Sequence, residues 1–185
     1  MMIENLKELN FDLSKVSNFV KNGVIADTNV LLILFISKYI KDCEEDKNHL
    51  YKKINITSQE ISCLSHVLSN FRISKLIITP HIFSEFINRI RRDLKQDYKE
   101  IKKNCCDDLK SFFEVYVKKG DMISHQKFLE FGNDISLIFA TEDQIKNYKF
   151  AMIISFDGRF LREFFDNEKD INRLAINLDS LKYFY

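Results

Sequence analysis

The sequence predicts an α/β protein, in which a mostly parallel central sheet lies between two layers of helices. Four short apolar runs have the length of buried strands, and longer segments with apolar residues at helical spacing separate them. Strands that alternate with helices form parallel sheets that are covered on both faces. The predicted strands are Val24–Ala26 and residues 75–79, 152–156 and 174–178.

The composition is that of a globular protein with one domain. The chain has 185 residues, of which 45% are hydrophobic and 30% are charged, and it contains only 4 Gly and 1 Pro. We therefore expect a single domain over residues 1–185, with residues 1–20 as a helical or irregular lead-in. No run of apolar residues is long enough to span a bilayer, and the amino terminus lacks the features of a signal peptide. These features predict a cytoplasmic protein without membrane contact.

Helix signals follow the first two predicted strands. Residues 28–40 are apolar on nearly all sides, which predicts a core helix, whereas residues 42–55 are polar and predict a loop or a helix end. Thr57 and Glu60 match the capping-box pattern, so a helix is expected to begin there. Thr79 and Pro80 are typical of an N-cap and a first helical residue.

The second half of the chain predicts further helices before the last strand. The helix after Pro80 is expected to continue, with a break, to near Gly120. A short helix over residues 122–130 should end at Gly132, and another should begin near Asp134. Residues 162–166 also have helical character.

Four acidic residues lie where the predicted strands and helices join. Asp27 and Asp157 follow predicted strands directly, Glu85 lies in the first turns of a helix, and Asp134 lies at a helix start. In a parallel sheet the carboxyl ends of the strands and the helix starts after them share one edge. We therefore expect the four carboxylates to converge in one cleft, although Asp27 on its own also fits an ordinary N-cap.

Four carboxylates in one pocket repel each other unless a cation lies among them. Mg²⁺ and Mn²⁺ prefer oxygen ligands and bridge to phosphate oxygens. Such ions activate water and stabilise the leaving oxygen when a phosphodiester is hydrolysed. The acids thus predict metal-assisted phosphodiester hydrolysis. The phosphate-binding glycine patterns of NTPases and dinucleotide enzymes are absent from the sequence.

At these four places the chain resembles the PIN-domain nucleases. The family has one Asp after its first strand, a Glu in a middle helix, an Asp that opens a later helix, and a fourth acid after a strand that ends in Thr or Ser. The resemblance extends from about residue 24 to residue 178. The matching segments are residues 24–31, 79–86, 132–136 and 153–160.

The resemblance implies a PIN-like fold and an Mg²⁺- or Mn²⁺-dependent endoribonuclease, often the toxin of a toxin–antitoxin pair. Asp27, Glu85, Asp134 and Asp157 would be the catalytic, metal-binding acids, and Asn29 and Ser155 would be supporting polar groups. RNA would be the substrate. An antitoxin or other protein partner and a homodimer would also be expected.

Three points stay open in the sequence. The interval between Asp134 and Asp157 is longer than is usual in the family, so Glu142 and Asp143 are alternative candidates for the third acid. The same fold without catalysis would serve as a binding or assembly module. A structure-specific DNA nuclease is the third alternative, because the acids alone do not select the sugar.

Arg89 and Arg92 are candidate nucleic-acid contacts. Arg89 lies one helical turn beyond Glu85 and Arg92 about two turns beyond it, so both would flank the cleft and hold phosphates. The alternative is a solvated helix face, with Arg89 paired to Glu85.

Overall fold

A computed structural model of the chain describes residues 16–43, 46–165 and 172–181. Its centre is a sheet of five strands, all parallel, in the spatial order β3-β2-β1-β4-β5. The α/β fold with three layers that the sequence predicts is thereby confirmed. The strands are β1 (Val24–Ala26), β2 (Leu76–Ile78), β3 (Phe113–Glu114), β4 (Ala151–Ser155) and β5 (Arg173–Asn177).

The central strands are buried on both faces. Ile25 of β1 pairs with Ile77 of β2 on one side and with Ile153 of β4 on the other. Every residue of β1, β2 and β4 is buried. Burial on both faces requires helices above and below the sheet, and it explains why these strands are continuous apolar runs in the sequence.

Eleven α-helices occur in the described residues, together with a 3₁₀ turn at Gly132–Asp134. None of these helices is both long enough and apolar enough to cross a membrane. The helices are α1 (Val16–Val20), α2 (Thr28–Asp42), α3 (His49–Lys53), α4 (Ser58–Asn70), α5 (Pro80–Asp93), α6 (Tyr98–Ser111), α7 (Lys119–Ser124), α8 (Phe128–Phe131), α9 (Ile135–Tyr148), α10 (Gly158–Phe164) and α11 (Leu178–Leu181).

Side-chain caps fix the starts of the helices that follow the strands. Asp27 caps α2, Thr79 caps α5 and Asp157 caps α10, each by accepting a bond from a backbone N–H in the first turn. The capping box predicted at Thr57 and Glu60 is present at the start of α4. These caps confirm the helix starts predicted after the first two strands.

Several predicted boundaries are wrong. The helical stretch expected to run to near Gly120 ends at Ser111 and is followed by β3, a strand of two exposed residues that lacks an apolar run to reveal it. The segment expected to be a loop or helix end contains α3, and the single helix over residues 122–130 is two helices. Helix α10 begins at Gly158 rather than near residue 162, because Asp157 caps it there. Residues 1–15 of the predicted lead-in lie outside the described residues, as does residue 166 of the predicted last helix.

Helices α2 and α5 pack together beside the carboxyl edge of the sheet. The rings of Phe35 and Phe86 are both buried, and their centroids lie 5.3 Å apart. This contact packs the middle of α2, which follows Asp27, against the helix that carries Glu85.

Candidate acidic site at the carboxyl edge of the sheet

The candidate site lies where the strand order reverses. The chain passes from β1 to β2 and β3 on one side, then returns to form β4 on the other side of β1. In open α/β sheets the crevice at this point, outside the carboxyl ends of the strands, is the usual ligand site. Asp27 follows β1 directly, and Asp157 lies two residues beyond β4. The fold thus brings two of the predicted acids to adjacent strand ends.

Asp27 is buried and held from both sides. Its Oδ1 accepts a hydrogen bond from the backbone N–H of Val30 (2.8 Å), and its Oδ2 accepts one from the backbone N–H of Phe156 (3.1 Å). The hydroxyl of Ser155 also donates to Oδ2. Burial raises the pKa of Asp27 and the neighbouring charge of Asp157 raises it slightly further, whereas the three hydrogen bonds act to lower it.

Ser155 connects Asp27 to Asp157. Besides donating to Asp27, its Oγ accepts a hydrogen bond from the backbone N–H of Asp157 (2.9 Å). Oδ1 of Asp157 in turn accepts from the backbone N–H of Phe160 (2.8 Å), which leaves Oδ2 without a hydrogen bond to the described residues. Both carboxylates are therefore oriented before any ligand binds.

Asp134 lies close enough to the other three acids to interact with them electrostatically. It ends the 3₁₀ turn Gly132–Asp134, which begins at a glycine in the left-handed region (φ 53°). Burial, together with the charges of Asp27, Glu85 and Asp157, raises the pKa of Asp134 to about 8. No hydrogen bond from the described residues stabilises its ionised form. Asp134 therefore lies within electrostatic range of the other three predicted acids.

Glu85 is tied to the same turn. It lies in the second turn of α5, and its Oε2 accepts a hydrogen bond from the side-chain amide of Asn133 (3.2 Å). Since Asn133 directly precedes Asp134, this bond links α5 to the turn that carries the third acid.

The alternative third acids lie elsewhere on α9. Glu142 and Asp143 are in the third turn of that helix, about 12 Å along its axis from Asp134. Glu142 is exposed, and Asp143 accepts a hydrogen bond from Asn147 (3.0 Å). The charges that raise the pKa of Asp134 are those of Asp27, Glu85 and Asp157, and not those of Glu142 or Asp143. Of the three candidates, the fold brings Asp134 to the other acids.

The carboxylates of the cluster are not arranged as the ligands of one divalent cation. No group of three or more His, Cys, Asp or Glu side chains that could hold a metal ion is found in the described residues. Carboxylate charges interact over several ångströms, whereas ligand oxygens of Mg²⁺ must lie at about 2.0–2.1 Å from the ion. The acids are thus close enough to repel one another, but their oxygens are not gathered as ligands.

The chemistry of the cluster nevertheless suits a hard cation. All four candidate donors are carboxylates, which Mg²⁺ and Mn²⁺ prefer. Beside Asp27, the hydroxyl of Thr28 is buried and has no hydrogen-bond partner among the described residues.

Asn29 and Arg89 form a polar contact next to the acids. Arg89 Nη1 donates a hydrogen bond to Oδ1 of Asn29 (2.6 Å), which connects α5 to the first turn of α2. The pairing of Arg89 with Glu85 that the sequence left open is not formed. Arg92 instead pairs with Asp93 through two hydrogen bonds of 2.6 and 3.0 Å, and its side chain is 71% exposed.

Two further polar contacts at this edge were not predicted. The hydroxyls of Thr79 and Ser136, both buried, are hydrogen bonded at 2.7 Å, and Asn133 contacts Glu85 as described above. Each residue lies in a segment that carries one of the predicted acids. Their partners are 48 or more positions away along the chain, so no local pattern reveals the pairing.

Comparisons with models of known protein families, with curated proteins and with solved structures find no match to this chain.

Proposed function

We propose that the protein is an Mg²⁺- or Mn²⁺-dependent endoribonuclease that hydrolyses RNA phosphodiester bonds at the acidic cluster. The observation that carries the proposal is geometric: Ser155 holds Asp27 and Asp157 at adjacent strand ends, and Asn133 links Glu85 to the turn that carries Asp134. Acids that repel each other at the switch point of a parallel sheet are explained by a role that requires a cation. The motifs shared with PIN-domain nucleases support the same reaction.

Each acid retains an oxygen that is free to bind a cation. Oδ1 of Asp27 accepts only one hydrogen bond, and Oδ2 of Asp157 and Oε1 of Glu85 accept none from the described residues. Neither oxygen of Asp134 is engaged. We assign all four residues to the metal site, with Asp134 as the acid whose ionisation depends most on the cation.

A divalent cation held there would lower the pKa of bound water and stabilise the charge that develops on the phosphodiester. Residues of the chain orient the carboxylates. Ser155 and the backbone N–H groups of Val30 and Phe156 hold Asp27 in one position. Arg89, held by Asn29, keeps further N–H donors for a phosphate beside the cluster.

The cellular setting is proposed from the resemblance to PIN-domain nucleases. It favours a cytoplasmic toxin of a toxin–antitoxin or defence system, with an antitoxin or other protein partner and a homodimeric state.

A second candidate function is a binding or assembly module that has lost catalysis. The observation that favours it is that no three acidic, histidine or cysteine side chains in the described residues are arranged to hold a metal ion. In that case the acids would keep their mutual repulsion without a catalytic purpose.

The test compares cleavage of RNA, single-stranded DNA and flap DNA by purified protein with Mn²⁺ or Mg²⁺. Asp27→Asn is the informative variant, because Asn is an equally good N-cap and keeps the start of α2. Asp107→Asn is the matched control, since Asp107 is exposed on α6. RNA cleavage that needs both metal and Asp27 is expected. Preferential cleavage of DNA would mean that the substrate is DNA rather than RNA. A folded protein without any cleavage would favour the binding module.

A further inference from the structure

The segment after β3 presents an aromatic side chain at the same edge of the sheet as the acids. Strand β3 ends at Glu114, which is in register with Ile78 of β2, and Tyr116 follows two residues later. Strands β3 and β1 are separated only by β2, so their carboxyl ends lie about 10 Å apart. That separation corresponds to about three stacked nucleotides.

Tyr116 is exposed between two anchored neighbours. The backbone N–H of Val115 donates to the carbonyl of Ile78 (3.0 Å), and the carbonyl of Val117 accepts from Nε2 of His81 (3.0 Å). Val117 is buried, whereas Tyr116 is 76% exposed. The backbone on both sides of the ring is therefore fixed to β2 and α5. Little conformational freedom would be lost when a ligand packs on the ring.

The ring of Tyr116 differs from the other exposed ring in this part of the sheet. Phe113 is covered by the ammonium group of Lys75, which lies 3.2 Å from its centroid. Tyr116 has no aromatic or cationic partner within the described residues. It is followed by two exposed lysines, Lys118 and Lys119, that form no ion pair with the described residues.

We propose that Tyr116, with Lys118 and Lys119, binds a single-stranded segment of the nucleic-acid substrate by stacking one unpaired base on the Tyr116 ring. An exposed aromatic ring beside cations that contact phosphates is the combination used by proteins that bind single strands. The exposed acids Glu114 and Asp121 lie nearby, so the local charge is balanced and stacking supplies most of the affinity. Bases inside a duplex are already stacked, so the site selects single strands over duplexes. This inference rests on the proposed nuclease function, because it identifies the form of RNA that reaches the acids.

The experiment uses the full chain with Asp27→Asn, so that RNA is bound without being cut. Binding of a fluorescein-labelled single-stranded RNA of twelve nucleotides, and of the same sequence as a blunt duplex, is measured by anisotropy. Tyr116→Ala is expected to weaken single-strand binding about tenfold, and Tyr116→Phe to keep it within about twofold. Duplex binding should not change. Tyr148→Ala removes a ring that is 50% exposed at the far end of α9 and serves as the matched control.

A second readout follows stacking itself. A 2-aminopurine base in the single strand should be quenched on binding to the protein with Tyr116, and not to the Tyr116→Ala variant. Unchanged single-strand affinity in Tyr116→Ala, or an equal loss for duplex and single strand, would overturn the inference. If the protein with Asp27 intact cleaves RNA while Tyr116→Ala has no effect, the inference fails and the nuclease function stands. If Tyr116 is needed for binding but no cleavage occurs, the nuclease function fails and the binding surface stands.

Discussion

The hydroxyl of Ser155 donates a hydrogen bond to Asp27 and thereby joins the carboxyl ends of β4 and β1. Both residues are buried, so the bond is shielded from water and defines the position of the Asp27 carboxylate. The same Ser155 oxygen accepts from the backbone N–H of Asp157. One side chain thus sets the spacing of two acids that the sequence separates by more than a hundred residues.

Ser155→Ala is expected to lower kcat/KM for RNA cleavage about 10- to 100-fold, in line with the loss of a residue that orients a metal ligand. Losing a donor to the ionised carboxylate raises the pKa of Asp27. The acidic limb of the pH–rate profile should therefore move to higher pH. Cleavage rates across the pH range provide the measurement.

Thr141→Val is the control for that variant. It removes a buried hydroxyl that bonds only to the carbonyl of Leu137 within α9, away from the acids. Its activity should match that of the unmodified protein. An unshifted pH profile in Ser155→Ala would show that Ser155 does not act through Asp27.

Asp134→Asn is expected to stabilise the protein in EDTA, increasingly so as the pH rises. The pKa of Asp134 is about 8 in the folded protein against an ordinary value of 3.8, so folding takes up a proton between these pH values. The stability contributed by Asp134 therefore falls as the pH rises from about 4 to about 8. Asn carries no charge and should gain about 2 kcal/mol at pH 8, after allowance for the partial exposure of the site.

Urea unfolding at pH 5 and pH 8 measures this effect. Asp143→Asn, on α9 and away from the cluster, should leave the pH dependence unchanged. If the free energy of unfolding had the same pH dependence in the unmodified protein and in Asp134→Asn, the pKa of Asp134 would not be raised in the folded protein.

The helix starts after the first two strands were predicted correctly, because local sequence patterns encode them. Asp27 and Thr79 were recognised because a cap requires only the residue and the helix that follows it. Strand β3 was missed because two exposed residues, Phe113 and Glu114, leave no apolar run, and only pairing with β2 makes them a strand.

The position of the candidate site was predictable because a parallel sheet places the carboxyl ends of its strands at one edge. Four acids at strand and helix junctions were expected to converge, and the charges around Asp134 agree with that expectation. The contacts of Arg89 with Asn29 and of Asn133 with Glu85 were not predicted. They depend on how α5 packs against α2 and against the turn before α9, which no single segment encodes.

Arg89→Ala is expected to weaken RNA binding and to reduce the slope of log K against log salt by about one, because one phosphate contact is lost. Arg92→Ala should have a smaller effect, since two of the Arg92 donors are already bound to Asp93. The binding constants are measured in Asp27→Asn protein at several salt concentrations.

Arg91→Ala is the control for charge alone. Arg91 is exposed on the same helix and lies about 200° around its axis from Arg89. A salt slope that changes equally in Arg89→Ala and Arg91→Ala would indicate a diffuse effect of charge rather than a contact at the site.

In the proposed function, Asp134 completes an acidic site that hydrolyses RNA with a divalent cation. The most direct test measures RNA cleavage with Mn²⁺ by the unmodified protein, Asp134→Asn and Asp143→Asn, each beside an EDTA control. The proposed function predicts cleavage that EDTA abolishes, that falls at least about 100-fold in Asp134→Asn and that is unchanged in Asp143→Asn. Folded protein that cleaves no RNA with Mn²⁺, or full activity in Asp134→Asn, would contradict it.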